Sequence, residues 1–114
     1  MTESQFQSKL LKALRSHTAL RDAVIFKHSD RINGGVPDFS ITIEKRTLWV
    51  ELKRYPNKCT KLQSYYIDKL QRGALLVTDH GNGNYGIWQP TLEAKVFKFD
   101  ELVEDIAWRF LYVA

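Results

Sequence analysis

The sequence predicts an α/β fold in which one mixed β-sheet is flanked by helices. Three observations predict it. Segments with helical periodicity open and close the chain. Two neighbouring segments between them alternate apolar and polar residues strictly enough to be paired strands. A third helical segment then separates these strands from later ones, giving the order helix, three strands, helix, two strands, helix.

The first helix is expected over about residues 3–17. Phe6, Leu10, Ala13 and Leu14 form its apolar stripe, and Lys9, Lys12 and Arg15 lie off it. Either Thr2 with Gln5 or Ser4 with Gln7 supplies a capping box. Residues 23–28 read as a short strand, and residues 29–35, ending in Gly34-Gly35, as a loop. Residues 38–44 and 47–53 are the alternating pair, joined by a two-residue turn at Lys45-Arg46. Tyr55-Pro56-Asn57 breaks the second strand. Thr60 opens a helix that should run to about Arg72 and stop at Gly73. Residues 74–78 and 85–88 are strands around a turn at Gly81-Asn82-Gly83-Asn84. Asp100 should cap the last helix, whose buried face is Leu102, Val103, Ile106, Ala107 and Phe110.

Residues 1–114 are expected to be one domain, since this length leaves no room for a second core. The content of 44% hydrophobic and 26% charged residues is ordinary for a globular protein. Cys59 is the one cysteine, which excludes an internal disulfide and a cysteine-based zinc site and fits a reducing compartment. There is no signal-peptide pattern and no apolar run near the ~20 residues that span a bilayer. A soluble cytoplasmic protein without membrane contact is therefore expected, in a bacterial cell or a phage-infected host. The net charge of +4 pulls mildly toward anionic partners.

The chemistry concentrates on the alternating pair. A turn at Lys45-Arg46 places Asp38 opposite Lys53 and Ser40 opposite Glu51. Asp38, Ser40, Trp49, Glu51 and Lys53 then share one face, and Phe39, Ile41, Ile43, Leu48, Val50 and Leu52 fill the other. Phosphodiester hydrolysis requires charge neutralisation at the phosphate and a hydroxide-like nucleophile. Mg²⁺ or Mn²⁺ held by carboxylates supplies both, the Leu52 carbonyl can add a backbone ligand, and a neighbouring lysine can orient water and stabilise developing charge. The plain alternative is a cross-strand Asp38–Lys53 salt bridge on a solvated face. The rigid Gly35-Val36-Pro37 lead-in and Trp49 on the same face favour a buried cluster.

Gly35-Val36-Pro37-Asp38, Val50-Glu51-Leu52-Lys53 and Leu62-Gln63 in the following helix resemble the VRR-NUC branch of the PD-(D/E)xK nucleases. The resemblance covers about the first 80 residues. It implies a restriction-endonuclease-like core and a metal-dependent DNA endonuclease in which Asp38 and Glu51 bind metal and Lys53 serves the nucleophile. Glu3 would be a further acidic ligand, and Gln63 would position water or phosphate. Small members of the family tend to be homodimers that cut branched DNA such as four-way Holliday junctions, so a homodimer is expected here. Two other readings stand beside this one: a nuclease-fold DNA-binding module without catalysis, and a site-specific restriction or homing-type endonuclease. The intact Asp38, Glu51 and Lys53 speak against the first, and the short chain against the second.

Some assignments have equally plain structural counterparts. Gln63 also completes a capping box with Thr60, and Glu3 also suits a helix N-terminus. Arg54, Lys58, Lys61 and Lys69, interleaved with Tyr55, Tyr65 and Tyr66, are either a solvated helix face or contacts to the DNA backbone. His17, His28 and His80 are too scattered to suggest a metal site. Trp108 and Tyr112 project from the acidic half of the last helix, among Glu101, Glu104 and Asp105. Either a loop of the same chain covers them or a second copy does.

Overall fold

The computed structural model describes residues 2–28, 34–70, 73–89 and 92–112. Helix α1 is Glu3–Arg15, opened by the Thr2–Gln5 capping box, and a short 3-10 turn follows at Thr18–Leu20. The strands are β1 (Val24–Lys27), β2 (Phe39–Ile43), β3 (Arg46–Arg54), β4 (Ala74–Gly81), β5 (Asn84–Gln89) and β6 (Leu92–Phe97). Helix α2 (Lys61–Leu70) connects β3 to β4, and α3 (Phe99–Tyr112) ends the chain. All six strands form one sheet in sequence order, antiparallel throughout except for the parallel pair β3–β4. The parallel step requires a crossover, and α2 provides it.

Helices α1 and α3 share one face of the sheet. Phe6, Leu10 and Leu14 of α1 and Leu102 and Ile106 of α3 are fully buried there with Phe39, Ile41, Val50, Leu52, Leu75 and Val77. The expected apolar face of α3 is thus the one that packs, with Phe110 at its margin. Helix α2 lies against the opposite face, where it buries Ile67.

The expectations need four corrections. The β2–β3 hairpin turns at Glu44-Lys45, with Ile43 paired to Arg46 and Ser40 to Trp49, so Asp38 does not face Lys53. The pairing slides by two residues relative to the expected one, which leaves every side chain on its original face, so hydrophobic patterning cannot tell the two apart. Second, the sheet gains an unexpected strand, β6. It is an edge strand in which Val96, on the apolar side of its alternation, remains 68% exposed, so little burial reinforces the pattern. Third, α3 begins before Asp100, which sits in its first turn rather than capping it. Fourth, α1 stops at Arg15, two residues early; the expected end of α2 at about Arg72 lies outside the described residues. Most of the expected loop over residues 29–35 also lies outside them, leaving Gly34 and Gly35.

Among the described residues, no helix is long and apolar enough to cross a membrane.

Candidate active site

Asp38 immediately precedes β2, and its backbone carbonyl accepts a hydrogen bond from the His28 N–H at 2.8 Å. The preceding Gly35 is buried beneath α2, where an added Cβ would stand 2.3 Å from Leu62 Cγ and 2.6 Å from Tyr66 Cδ2. A side chain at Gly35 would therefore push α2 away from the sheet. Across the hairpin, the Leu52 N–H donates to Asp38 Oδ2 at 2.7 Å. In a strand the N–H and carbonyl of one residue point the same way. The Leu52 carbonyl is thereby directed toward the Asp38 side.

Extending the observed register sets Asp38 opposite Glu51, where its carboxyl is close enough to raise the Glu51 pKa. Glu51 is only 2% exposed, in the middle of the sheet face covered by α2. Burial pushes its pKa up to about 8. The Asp38 carboxyl adds to the rise, nearby Lys53 opposes it, and Glu3 contributes further. Lys53 Nζ lies 3.9 Å from Glu51 Oε2, and its side chain is itself largely buried. The ion pair of Lys53 is thus with its own strand neighbour, not the cross-strand bridge to Asp38 of the plain alternative.

Gln63 caps α2 as expected and also reaches the carboxyl pair. Its N–H and side-chain oxygen form the capping box with Thr60, at 3.1 and 2.9 Å. Its amide Nε2 then donates to Glu51 Oε2 at 3.3 Å. The cap fixes the side chain that reaches the buried carboxyl. Glu3, half-buried in the first turn of α1, is close enough for its charge to act on Glu51.

Among the described residues, no three His, Cys, Asp or Glu side chains converge as a preformed metal cage. The donor set nevertheless fits a hard cation that keeps several waters: two adjoining carboxyls, a backbone carbonyl directed toward them, and a buried carboxyl whose ionised form has one ammonium nearby. A divalent ion would offset both the burial and the carboxyl–carboxyl repulsion that raise the Glu51 pKa.

The basic residues are less tightly gathered. Arg54, Lys58 and Lys61 are exposed between the end of β3 and the start of α2. Lys69, near the far end of α2, reaches over the Tyr65 ring at 5.6 Å. The three histidines stay apart, as expected: His17 bonds Glu104 at 2.8 Å, His28 bonds Ser40 at 2.8 Å and stacks on Trp49, and His80 lies against Tyr55. Sequence reading did not link His80 or Trp88 to the site. The parallel pairing of β3 with β4 brings them to this face, and nothing local in the sequence encodes which strands pair.

In structure the chain matches the Holliday junction resolvase Hjc of the hyperthermophilic archaeon Archaeoglobus fulgidus, with a TM-score of 0.51 over 92% of this chain and 99% of that one. The fold is restriction-endonuclease-like. At 12% identity the match speaks for the fold alone. No protein-family model and no curated protein sequence matches the chain. The restriction-endonuclease-like sheet thus presents Asp38, Glu51 and Lys53 on the face beneath α2, with Gln63 above them.

Proposed function

We propose that this chain is a divalent-metal-dependent DNA endonuclease of the VRR-NUC type. It would hydrolyse phosphodiester bonds in branched DNA such as four-way junctions, as a homodimer and with residues 1–114 as one nuclease domain. The observation that carries this reading is the Asp38–Glu51 carboxyl pair, with Glu51 buried, beside Lys53. Its support is a fold shared with a protein described as a Holliday junction resolvase.

Asp38, Glu51 and the Leu52 carbonyl would hold Mg²⁺ or Mn²⁺, with Glu3 contributing through water. Bound there, such an ion supplies charge neutralisation at the phosphate and a more acidic water. Lys53, fixed beside Glu51, donates to the attacking water or to charge developing on the phosphate, a role whose loss costs about 10²–10³ in rate where comparable donors have been removed. Gln63, anchored by its cap, orients the same water or a phosphate oxygen. Arg54, Lys58, Lys61 and Lys69 hold the flanking backbone without reading sequence.

The test is cleavage of four-way junction, flap, duplex and single-stranded DNA, each with Mg²⁺, with Mn²⁺ and with EDTA. Junction cleavage is expected with either metal, with none in EDTA and none by Asp38→Asn. An intact junction in both metals would falsify the reading, and cleavage by Asp38→Asn at the parent rate would remove the site assignment.

A further inference from the structure

The carboxyl pair does not lie at the end of the functional face. Strand register places Glu51, Leu76 and Trp88 in one row across β3, β4 and β5, and Lys53, Thr78 and Gly86 in the next. Paired residues in a sheet share a face, and two interstrand spacings are about 10 Å. Trp88 therefore stands about 10 Å from Glu51 on the same surface. Trp88, at the end of the first row, is left exposed, whereas Gly86, at the end of the second, is buried.

Between α2 and β5 lies a cleft of about 660 Å³. Its walls include Ile67 and Ser64 of α2, Thr78 and His80 of β4, and Trp88 of β5. Cys59 also lines it, and that thiol is near enough to feel the charges of Glu51, Lys53, Asp38 and Glu3, so the cleft lies close to the carboxyl pair. Trp88 is 41% exposed there. Gly86 keeps the floor flat, since a Cβ would meet the His80 ring at 3.0 Å.

The cleft falls in the range of roughly 300–1,000 Å³ typical of small-molecule sites. It is apolar and aromatic on its sheet side, carries hydroxyls at Ser64 and Thr78, and has the Asp68 carboxyl on its α2 wall. Stacking on an aromatic ring accepts any base. A base already unpaired enters such a pocket without the cost of leaving a duplex.

We infer that the cleft receives one unpaired nucleobase, stacked on Trp88, from the DNA strand whose phosphate lies at Asp38, Glu51 and Lys53. This rests on the nuclease reading and supplies a source of selectivity for branched over fully paired DNA. The strand's phosphate and base would then be gripped about two strand spacings apart, which a continuous duplex could not satisfy without losing a pair.

The test measures binding by fluorescence anisotropy in EDTA. The probes are forked duplexes with thymidines at the branch, and matched forks in which each branch thymidine in turn is replaced by an abasic nucleotide. One abasic position should weaken binding of the parent protein about 5- to 150-fold. Trp88→Ala should bring that ratio close to one while binding of plain duplex is unchanged, and Trp88→Phe should keep most of it. A ratio near one at every position, in parent protein that binds forks and cleaves junctions, overturns the cleft assignment and leaves the nuclease reading standing. Absence of both fork binding and cleavage removes the two together. A Trp88→Ala change in sedimentation without DNA would show that a second copy occupies the cleft, and would also overturn the inference.

Discussion

Glu51 is a carboxyl that folding drives toward its neutral form. It is almost fully buried, faces the Asp38 carboxyl, and has its recorded ammonium partner 3.9 Å away. Its pKa is raised from the usual 4.5 to about 8 in the folded chain. Between those two values the native state keeps a proton that the unfolded chain has released. The associated stability is therefore full below the unfolded value and is lost as pH rises toward the folded one. In EDTA the melting temperature of the parent should fall, relative to Glu51→Gln, between pH 5 and pH 8.5. Near pH 8.5 the variant should be the more stable by roughly 3–6 °C for each kcal/mol relieved. Mg²⁺ should raise the melting temperature of the parent and leave the variant unmoved. Scanning calorimetry across this range checks both statements, and parallel curves for the two proteins contradict them.

At the scale of the element, α2 decides the geometry of the site. Its first turn holds Gln63 over Glu51, and Leu62 and Tyr66 rest on Gly35. Helix and lead-in loop are thus fitted to each other at a point where no side chain has room. Gly35→Ala should displace α2, destabilise the fold by about 1–3 kcal/mol as overpacking does, and lower junction cleavage although Gly35 offers no side chain to substrate. Urea unfolding alongside single-turnover cleavage gives both numbers. Parent-like stability and rate would mean that α2 can shift without disturbing Gln63. The cap itself was legible in Thr60-Lys61-Leu62-Gln63. Its contact with Glu51 was not, because a capping box constrains a backbone and leaves open what lies beneath it; only the family resemblance pointed Gln63 toward the site.

For the whole molecule the open question is assembly. Trp108 lies on the outer face of α3, donates to Glu104, and meets the His17 ring edge-on, yet stays 39% exposed. His17 and Glu104 themselves form an ion pair when the histidine is protonated, and bonding to His17 and Trp108 lowers the Glu104 pKa. The same chain thus covers part of the ring, and the Tyr112 side chain lies outside the described residues. A homodimer formed over the remaining Trp108 surface would present two sites to two strands. Sedimentation at micromolar concentration should then give a dimer for the parent and a lighter species for Trp108→Glu. A parent that stays monomeric while cutting junctions excludes this dimer.

Alternation of apolar and polar residues over 38–53 was enough to place Asp38, Glu51 and Lys53 on one face and Phe39, Val50 and Leu52 on the other. That assignment survived a pairing shift of two residues because side-chain facing repeats every two. Helical periodicity likewise placed the buried stripe of α3. The sequence by itself therefore determined facing, and with it the chemical content of the site. Tertiary structure decided everything that depends on which segments meet: Asp38 against Glu51 rather than Lys53, α2 over Gly35, the edge strand β6, and Trp88 in the row of Glu51. Facing follows from local backbone geometry, which a short segment carries within itself. Pairing, and the burial that lifts the Glu51 pKa, follow from packing between segments far apart in the chain, where a single sequence records the partners but not the match.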